Sequence, residues 1–339
     1  MRAFLDERQS LHDPKSFRKS GPVSENPEQP KRIEVLKQGA QHAGIEFEAP
    51  SDFGMGPIAE IHSPQYLAFL QNAFRRMNAA DGGEAEVTPS IHPLSRSDGY
   101  PASVIGQAGF HQADVSCPIG AHTWTSAYWS AQSALSLAHY MDTGARAGYA
   151  LCRPPGHHAF GDAAGGFCFL NNAAIAAQAC LNQGHRVAIL DVDVHHGNGT
   201  QGIFYNRSDV FTVSLHADPT RFYPFFWGYA HETGKGAGLG YNLNLPLPRQ
   251  TGDADYLKAL KTALDAIERF APDLIVVALG LDASIDDPFQ GLAITREGFN
   301  AIAAAISVLN IPLAIIQEGG YLSPELGPNL TSFMAGIST

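Results

Sequence analysis

Apolar and amphipathic segments alternate along the chain from about residue 120 onward. Continuous apolar runs predict buried strands at residues 147–152, 186–193, 210–216, 273–282 and 311–317. Between them, the pattern predicts helices at residues 122–142, 170–183, 253–270 and 295–309. Strands that are apolar throughout are typical of a sheet covered on both faces. We therefore expect a single α/β domain over residues 1–339, with an open, mainly parallel sheet flanked by helices on both faces.

The N-terminal third is less regular. Residues 12–32 are polar and contain four prolines, and residues 79–106 are rich in Gly, Pro, Ser and acidic residues. Loops of this length inside a compact domain are usually functional or disordered. We expect both loops to shape the entrance of a site.

Several predicted strands end in polar or glycine-rich residues. The ends read RPPGHH (153–158), DVDVHH (191–196), GLD (280–282) and QEGGY (317–321). In open α/β sheets, ligands bind beyond the carboxyl ends of the strands. These residues are therefore expected to meet at one rim.

Asp193 and His195 lie two residues apart, so at a strand end both side chains point the same way. Asp282 ends another predicted strand and is the candidate third ligand of one ion. Three protein ligands leave positions open for water and substrate, as in catalytic metal sites. Either aspartate alone could equally cap a helix, but the joint pattern favours a metal.

The tandem His157-His158 is suited to proton transfer near neutral pH. Each imidazole needs an acceptor on its other nitrogen, and Asp191 and Asn198 are available. Tyr321 follows two glycines that allow a close approach, and its hydroxyl could stabilise an oxyanion. Without the other strand ends, a tyrosine of the core would be as plausible.

Together these segments resemble the zinc-dependent deacetylases of the arginase–deacetylase superfamily. The resemblance covers roughly residues 100–325, in the family's order, and is greatest to bacterial acetylpolyamine amidohydrolases. It rests on CRPPGHHA, GGFCFLNN, DVDVHHGNGT, VSLH, GYAHETGKGAG, LGLDA and EGGY.

The resemblance implies a role for each matched position. Asp193, His195 and Asp282 would hold Zn²⁺, with Fe²⁺ or Co²⁺ as substitutes. His158 would be the general base and later the acid, and His157 its electrostatic partner. Asp191 would lie beside His157, Asn198 beside His158, and Tyr321 would bind the substrate carbonyl.

The resemblance also implies a narrow substrate tunnel and two structural K⁺ or Na⁺ sites. The tunnel would be formed by Gly166, Phe167, Tyr223 and Gly319. The first monovalent site would use Asp191, Asp193, His195, Ser214 and Leu215. The second would use Phe204, Arg207, Val210 and Tyr241.

The implied activity is hydrolysis of the acetyl amide of small cationic acetylated polyamines or diamines, releasing acetate and free amine. A cytoplasmic homodimer is expected. The net charge of -11 and the lack of a basic patch argue against a nucleic-acid partner. No uninterrupted apolar segment is long enough for a membrane span, and the N-terminus has no apolar signal region. The four cysteines lack zinc-finger spacing and fit a reducing compartment.

Other activities compete with this interpretation. An acetyl-lysine protein deacetylase would use the same chemistry behind a more open mouth. A dimanganese ureohydrolase would need more carboxylates at the strand ends, and a non-catalytic binder would not need the intact ligands, histidine pair and tyrosine. In the polyamine enzymes, acidic residues occupy the positions of Ile105 and Phe17, so another acid is expected to receive the substrate's charge. Candidates are Glu84, Glu86, Asp98 and Asp114.

Overall fold

An eight-stranded sheet in which every neighbouring pair is parallel forms the centre of the molecule. The structure is a computed structural model and describes residues 1–17, 24–79, 83–97 and 99–337. Its strands, in chain order, are β1 (Arg2–Phe4), β2 (Ser16–Phe17), β3 (Ser24–Glu25), β4 (Glu46–Glu48), β5 (Ala147–Ala150), β6 (Val187–Asp191), β7 (Val210–Ala217), β8 (Asn242–Leu247), β9 (Leu274–Leu279) and β10 (Leu313–Gln317). The strand order is β4-β1-β5-β10-β9-β6-β7-β8, and β2 and β3 form a separate antiparallel pair.

Helices connect most of these strands and cover the sheet. They are α1 (Lys31–His42), α2 (Gly56–Ala59), α3 (Pro64–Asn78), α4 (Val104–His111), α5 (Thr123–Met141), α6 (Asn172–Asn182), α7 (Asn198–Phe204), α8 (Asp253–Phe270), α9 (Arg296–Ser307) and α10 (Leu326–Gly336). Short 3₁₀ helices cover Glu7–Leu11 and Gly236–Gly238.

The central strands are buried on both faces. In β9, Ile275 and Val277 belong to one apolar cluster, which α1, α8, α9 and α10 complete. Leu274 and Val276 point the other way, into a second cluster completed by α3, α5 and α6. This explains why the strands are apolar throughout, and it confirms the predicted α/β class with helices on both faces.

The predicted bounds differ from the observed ones mainly at strand ends. Helix α8 has the bounds expected from its amphipathic pattern. Strand β9 ends at Leu279 rather than at residue 282, and β6 ends at Asp191 rather than at 193. The polar residues therefore lie in the loops that follow the strands. The elements additional to the prediction are strands β1, β2, β3, β4 and β8 and helices α1, α2, α3, α4, α7 and α10.

The four strands with unusual ends are neighbours in the sheet. Their order is β5-β10-β9-β6, so the loops after them meet at one rim, as expected. No helix in the described part of the chain is long and apolar enough to cross a membrane.

Candidate active site

A cavity of about 570 Å³ opens at this rim and is lined mainly by aromatic side chains. His158, His195 and Tyr321 lie on its wall, with Gly166, Phe167 and Tyr223. Phe17, from the predicted loop 12–32, also lines it. No described residue of 79–106 does so; residues 18–23, 80–82 and 98 lie outside the described part of the chain.

Asp193, His195 and Asp282 converge on one point beside this cavity. Their ligand atoms lie within 4.8 Å of one another. His195 Nδ1 is 3.2 Å from Asp193 Oδ1 and 3.1 Å from Asp282 Oδ2. Two carboxylates and one imidazole are a donor set that suits zinc. Both aspartates are fully buried, so a divalent cation would balance charges that water does not reach.

Glycines make room for these ligands. A Cβ at Gly319 would lie 2.2 Å from Asp282 Oδ2, and one at Gly280 would lie 2.2 Å from Asp193 Oδ2. The Gly319 N–H donates to Asp193 Oδ2 at 2.8 Å. Gly319, expected in the tunnel, is not among the residues that line the cavity and instead lies against both candidate aspartate ligands. The space kept open by Gly280 and Gly319, together with the two carboxylates and the imidazole, fits a bound metal.

The paired histidines have different partners. His157 Nδ1 lies 2.9 Å from Asp191 Oδ2, and His158 Nδ1 lies 2.6 Å from Asn198 Oδ1. Burial alone would lower the pKa of His157, but the carboxylates of Asp193 and Asp191 raise it to about 10. Burial lowers the pKa of His158 well below its usual value, and the neighbouring His157 lowers it further. The carboxylates therefore favour the charged form of His157, and burial favours the neutral form of His158.

Tyr321 faces the cavity with its ring against Phe289 and Phe167, at centroid distances of 4.8 and 5.8 Å. Burial and the charge of Asp282 raise the pKa of Tyr321 well above its usual value, so its hydroxyl remains a donor. Phe167 has a φ of 71°, a region that bulky residues rarely adopt. Such backbone conformations are common where a side chain is held for binding.

The residues expected at the monovalent-cation sites lie near one another. Asp191 pairs with Ser214 in adjacent strands, and Leu215 follows it, fully buried. At the second site, the Arg207 N–H donates to the Phe204 carbonyl at 2.9 Å. Val210 is buried and is the first residue of β7. The Tyr241 carbonyl accepts from the N–H of Thr212, two residues further along that strand.

His196, for which the motif gave no role, belongs to a buried polar network. Its Nε2 donates to Gln201 Oε1 at 3.0 Å. The same oxygen accepts from Asn242 and Asn244, while Gln201 Nε2 donates to Glu232. Glu232 also accepts from Gly228 N at 2.9 Å, and so the network supports the loop that follows β7. This role is structural.

Two acidic residues near the site have contacts that the sequence did not indicate. Glu318 is fully buried and accepts from the N–H groups of Gly156 and His157 at 2.6 and 3.0 Å. Asp287 accepts from the Tyr321 N–H at 3.2 Å. The sequence held a signal only for Glu318, which is the glutamate of the EGGY motif and follows a buried strand.

A charged cluster lies beneath the rim. Glu28 Oε1 is 2.6 Å from Arg32 and 2.8 Å from Arg153, and all three side chains are buried. Arg32 also donates to the carbonyls of Glu318 and Gly320 at 2.7 and 2.5 Å. The polar stretch 12–32, predicted as a loop, is thus partly built into the core because its charges are paired there.

Of the acids considered for substrate recognition, Asp114 lines the cavity. Ile105 is 53% exposed on α4. Glu84 is exposed, Glu86 accepts from the Lys15 N–H at 2.9 Å, and Asp98 lies outside the described residues.

Comparison with known proteins agrees with this geometry. Residues 26–337 match the histone deacetylase domain. The chain is 47% identical to acetylpolyamine amidohydrolase of Burkholderia pseudomallei, over 99% of this chain and 98% of that one. It is 44% identical to acetylpolyamine amidohydrolase 1 of Pseudomonas aeruginosa, over 91% of this chain and 90% of the relative. A crystal structure of acetylpolyamine aminohydrolase from B. pseudomallei superimposes with a TM-score of 0.95 at 47% identity, covering 99% of this chain and 98% of that one. The chain belongs to the histone deacetylase family.

Proposed function

We propose that this protein is a zinc-dependent amidohydrolase that removes the acetyl group from acetylated polyamines or diamines and releases acetate and the free amine. One observation carries the proposal. The candidate metal ligands, the histidine pair and Tyr321 lie together, and His158, His195 and Tyr321 of this group line one aromatic cavity. The names of relatives that are similar over nearly the whole chain support the same activity.

The proposed general base is His158. Because Asn198 Oδ1 only accepts, the bond at Nδ1 assigns the ring hydrogen to that nitrogen and leaves Nε2 free to take a proton. The neutral ring can remove a proton from the attacking water. The same nitrogen then returns a proton to the leaving amine, which would otherwise be too basic to depart.

His157 supports this step without exchanging the proton itself. Its ring centroid lies 4.0 Å from that of His158, and Asp191 holds its Nδ1. Its positive charge keeps the neighbouring imidazole a neutral base until the reaction begins. Tyr321 donates to the substrate carbonyl as that oxygen becomes negative. When held by Asp193, His195 and Asp282, zinc would supply a Lewis acid that polarises the carbonyl and lowers the pKa of water.

The lining of the cavity supports a substrate with an apolar chain. Phe167, Tyr223, Phe289 and Tyr321 line the cavity together with His195 of the candidate metal site. Such walls suit the methylene chain of a diamine and exclude water from the reacting amide.

The test is a comparison of acetate release from acetylputrescine, acetylcadaverine, acetylspermidine and an acetyl-lysine peptide with zinc-loaded protein. Small acetylated amines are expected to give the highest kcat/KM. A clear preference for the peptide would replace the polyamine activity with protein deacetylation. The absence of acetate release from all four substrates would refute the proposed function.

Asp282→Ala tests the metal assignment separately. Loss of one of three ligands is expected to abolish stoichiometric zinc in elemental analysis. Asp286→Ala, an exposed neighbour in the same loop, is the control and should bind zinc normally. Stoichiometric zinc in the Asp282→Ala protein would contradict this assignment.

We extend the proposal to the whole protein as a single domain, residues 1–339. Loop 12–32 would shape the entrance through Phe17, and loop 79–106 would do so from outside the described cavity wall. K⁺ or Na⁺ would occupy the two structural sites, and the protein would act as a cytoplasmic homodimer. Four unpaired, buried cysteines support a reducing compartment. Analytical ultracentrifugation would test the dimer, and thermal unfolding with and without KCl would test the cation sites.

A further inference from the structure

The hydroxyl group of Tyr223 requires an explanation that its place in the cavity wall does not provide, because a phenyl ring would form that wall equally well. The hydroxyl donates to Asp114 Oδ2 at 2.6 Å, and the Gly166 N–H donates to the same oxygen at 3.1 Å. Asp114 Oδ1 accepts from the Ser116 N–H at 2.7 Å, which fixes the carboxylate. One aspartate thus ties together two segments of the cavity wall that are far apart in sequence.

Both segments pack against His158, the proposed base. The Tyr223 ring meets the His158 ring edge to face, with centroids 4.9 Å apart and planes at 87°. A Cβ at Gly166 would lie 2.4 Å from His158 Cδ2 and 3.0 Å from Tyr223 Cε1. The backbone of Gly166, the Tyr223 ring and the His158 imidazole are therefore closely packed. A shift of any one of them would move the others.

Asp114 reaches the imidazole only through its neighbours. Its carboxylate accepts from the Tyr223 hydroxyl, from backbone N–H groups and, at 3.9 Å, from the Cys117 thiol, whereas Asn198 occupies His158 Nδ1. Its position suits holding the wall rather than exchanging a proton with the reacting groups.

We propose that Asp114 is a positioning residue, which through Tyr223 and Gly166 sets the width of the cavity and the orientation of His158. The proposal rests on the proposed function, in which His158 is the base. It deepens that function, because the same hydrogen bonds restrict the site to narrow, unbranched acetylated amines.

The experiment compares Tyr223→Phe, Asp114→Asn, Asp114→Ala and the double variant Asp114→Ala/Tyr223→Phe. We expect kcat/KM for acetylputrescine to fall about tenfold or more in each single variant, because each weakens or removes a hydrogen bond to a charged group. The double variant should lose no more than the worse single variant, because both remove one contact. The ratio of kcat/KM for an acetyl-lysine peptide to that for acetylputrescine should rise as the wall loosens. A role in folding alone would not change this ratio.

A second tyrosine–aspartate pair provides a matched control. The Tyr128 hydroxyl donates to Asp52, which also accepts from the Gly54 N–H at 2.9 Å, and both side chains lie away from the cavity. Tyr128→Phe and Asp52→Asn should leave both kcat/KM values unchanged.

The imidazole nitrogen resonances of His158 give a measurement that does not depend on turnover. In ¹⁵N-edited NMR spectra of the protein, they should shift in Tyr223→Phe and Asp114→Asn, and not in the control variants. Unchanged resonances, or additive losses with an unchanged substrate ratio, would overturn the positioning role. If the wild-type protein hydrolysed none of the substrates, the proposed function would fail, and the resonances would still decide whether Asp114 orients His158.

Discussion

Replacing Gly319 by alanine would place one methyl group against the candidate metal ligands. Its Cβ would lie 2.2 Å from Asp282 Oδ2 and 2.5 Å from Asp193 Oδ2. Non-bonded atoms at optimal separation lie about 3.5 Å apart or more, so the carboxylates or the loop must move by roughly 1 Å. Gly319 is not among the residues with positive φ, so the effect is steric rather than conformational.

The surrounding hydrogen bonds leave little room for this movement. Asp193 accepts from the N–H groups of His195 and Gly319 at 2.9 and 2.8 Å, and Asp282 accepts from Val194 at 3.1 Å. Ligand distances at a metal site hold within about 0.2 Å, far less than the required shift. We therefore expect Gly319→Ala to weaken zinc binding about 10- to 100-fold and to lower kcat by about 10²-fold. Overpacking should also cost about 1–3 kcal/mol of unfolding free energy.

Competition with a fluorescent chelator measures the zinc dissociation constant, and acetate release measures kcat. Gly56→Ala is the control, because a Cβ there meets nothing within 4 Å. If Gly319→Ala bound zinc and turned over substrate like the wild type, the steric reasoning and the ligand assignment behind it would be wrong.

Three further predictions address the histidines and the tyrosine. His158→Ala should lose more kcat than His157→Ala, because only His158 transfers the proton; the opposite ranking would exchange their roles. Tyr321→Phe should lower kcat by very roughly 10²-fold while zinc content stays constant, as expected for one oxyanion donor; normal turnover would remove that role. Burial lowers the pKa of His62, outside the site, to about 4, so its neutral form stabilises the fold above pH 6.5 and this contribution is lost as the pH falls towards 4. From pH 8 to pH 5 this contribution to the free energy of unfolding should decline by about 2 kcal/mol. In His62→Gln, the free energy of unfolding measured by denaturation should therefore fall less steeply over this pH range. The same slope in the variant and the wild type would contradict the assignment.

Periodicity predicted the elements that bury a regular apolar face. Helix α8 follows from its amphipathic pattern, and the central strands follow from continuous apolar runs. Strands β1 and β4 are only three residues long, too short for periodicity to identify. Their place in the sheet depends on pairing with β5 and with each other, which local sequence does not encode.

The site was predictable where its residues follow strands, and less so where contacts cross the fold. Asp193 and His195 belong to one motif, and parallel topology brings Asp282 to them. The Tyr223–Asp114 bond joins residues 109 positions apart, and no pattern in either segment indicates it. Glu28 lies in a stretch whose polarity predicts a solvated loop. Its burial depends on the guanidinium of Arg153, which lies 2.8 Å from Glu28 Oε1 although the two residues are 125 positions apart.

The buried cluster of Glu28, Arg32 and Arg153 also has a consequence for how the molecule opens. Separating one partner from the others would leave an uncompensated charge in the core, at a cost of about 3–5 kcal/mol. Arg32 is bonded to the carbonyls of Glu318 and Gly320, next to Tyr321. We therefore expect the N-terminal segment and the tyrosine loop to open together, as one cooperative unit. The N-terminal segment that contains Glu28 and Arg32 takes no part in the proposed reaction, but it helps to hold the loop of Tyr321 in place.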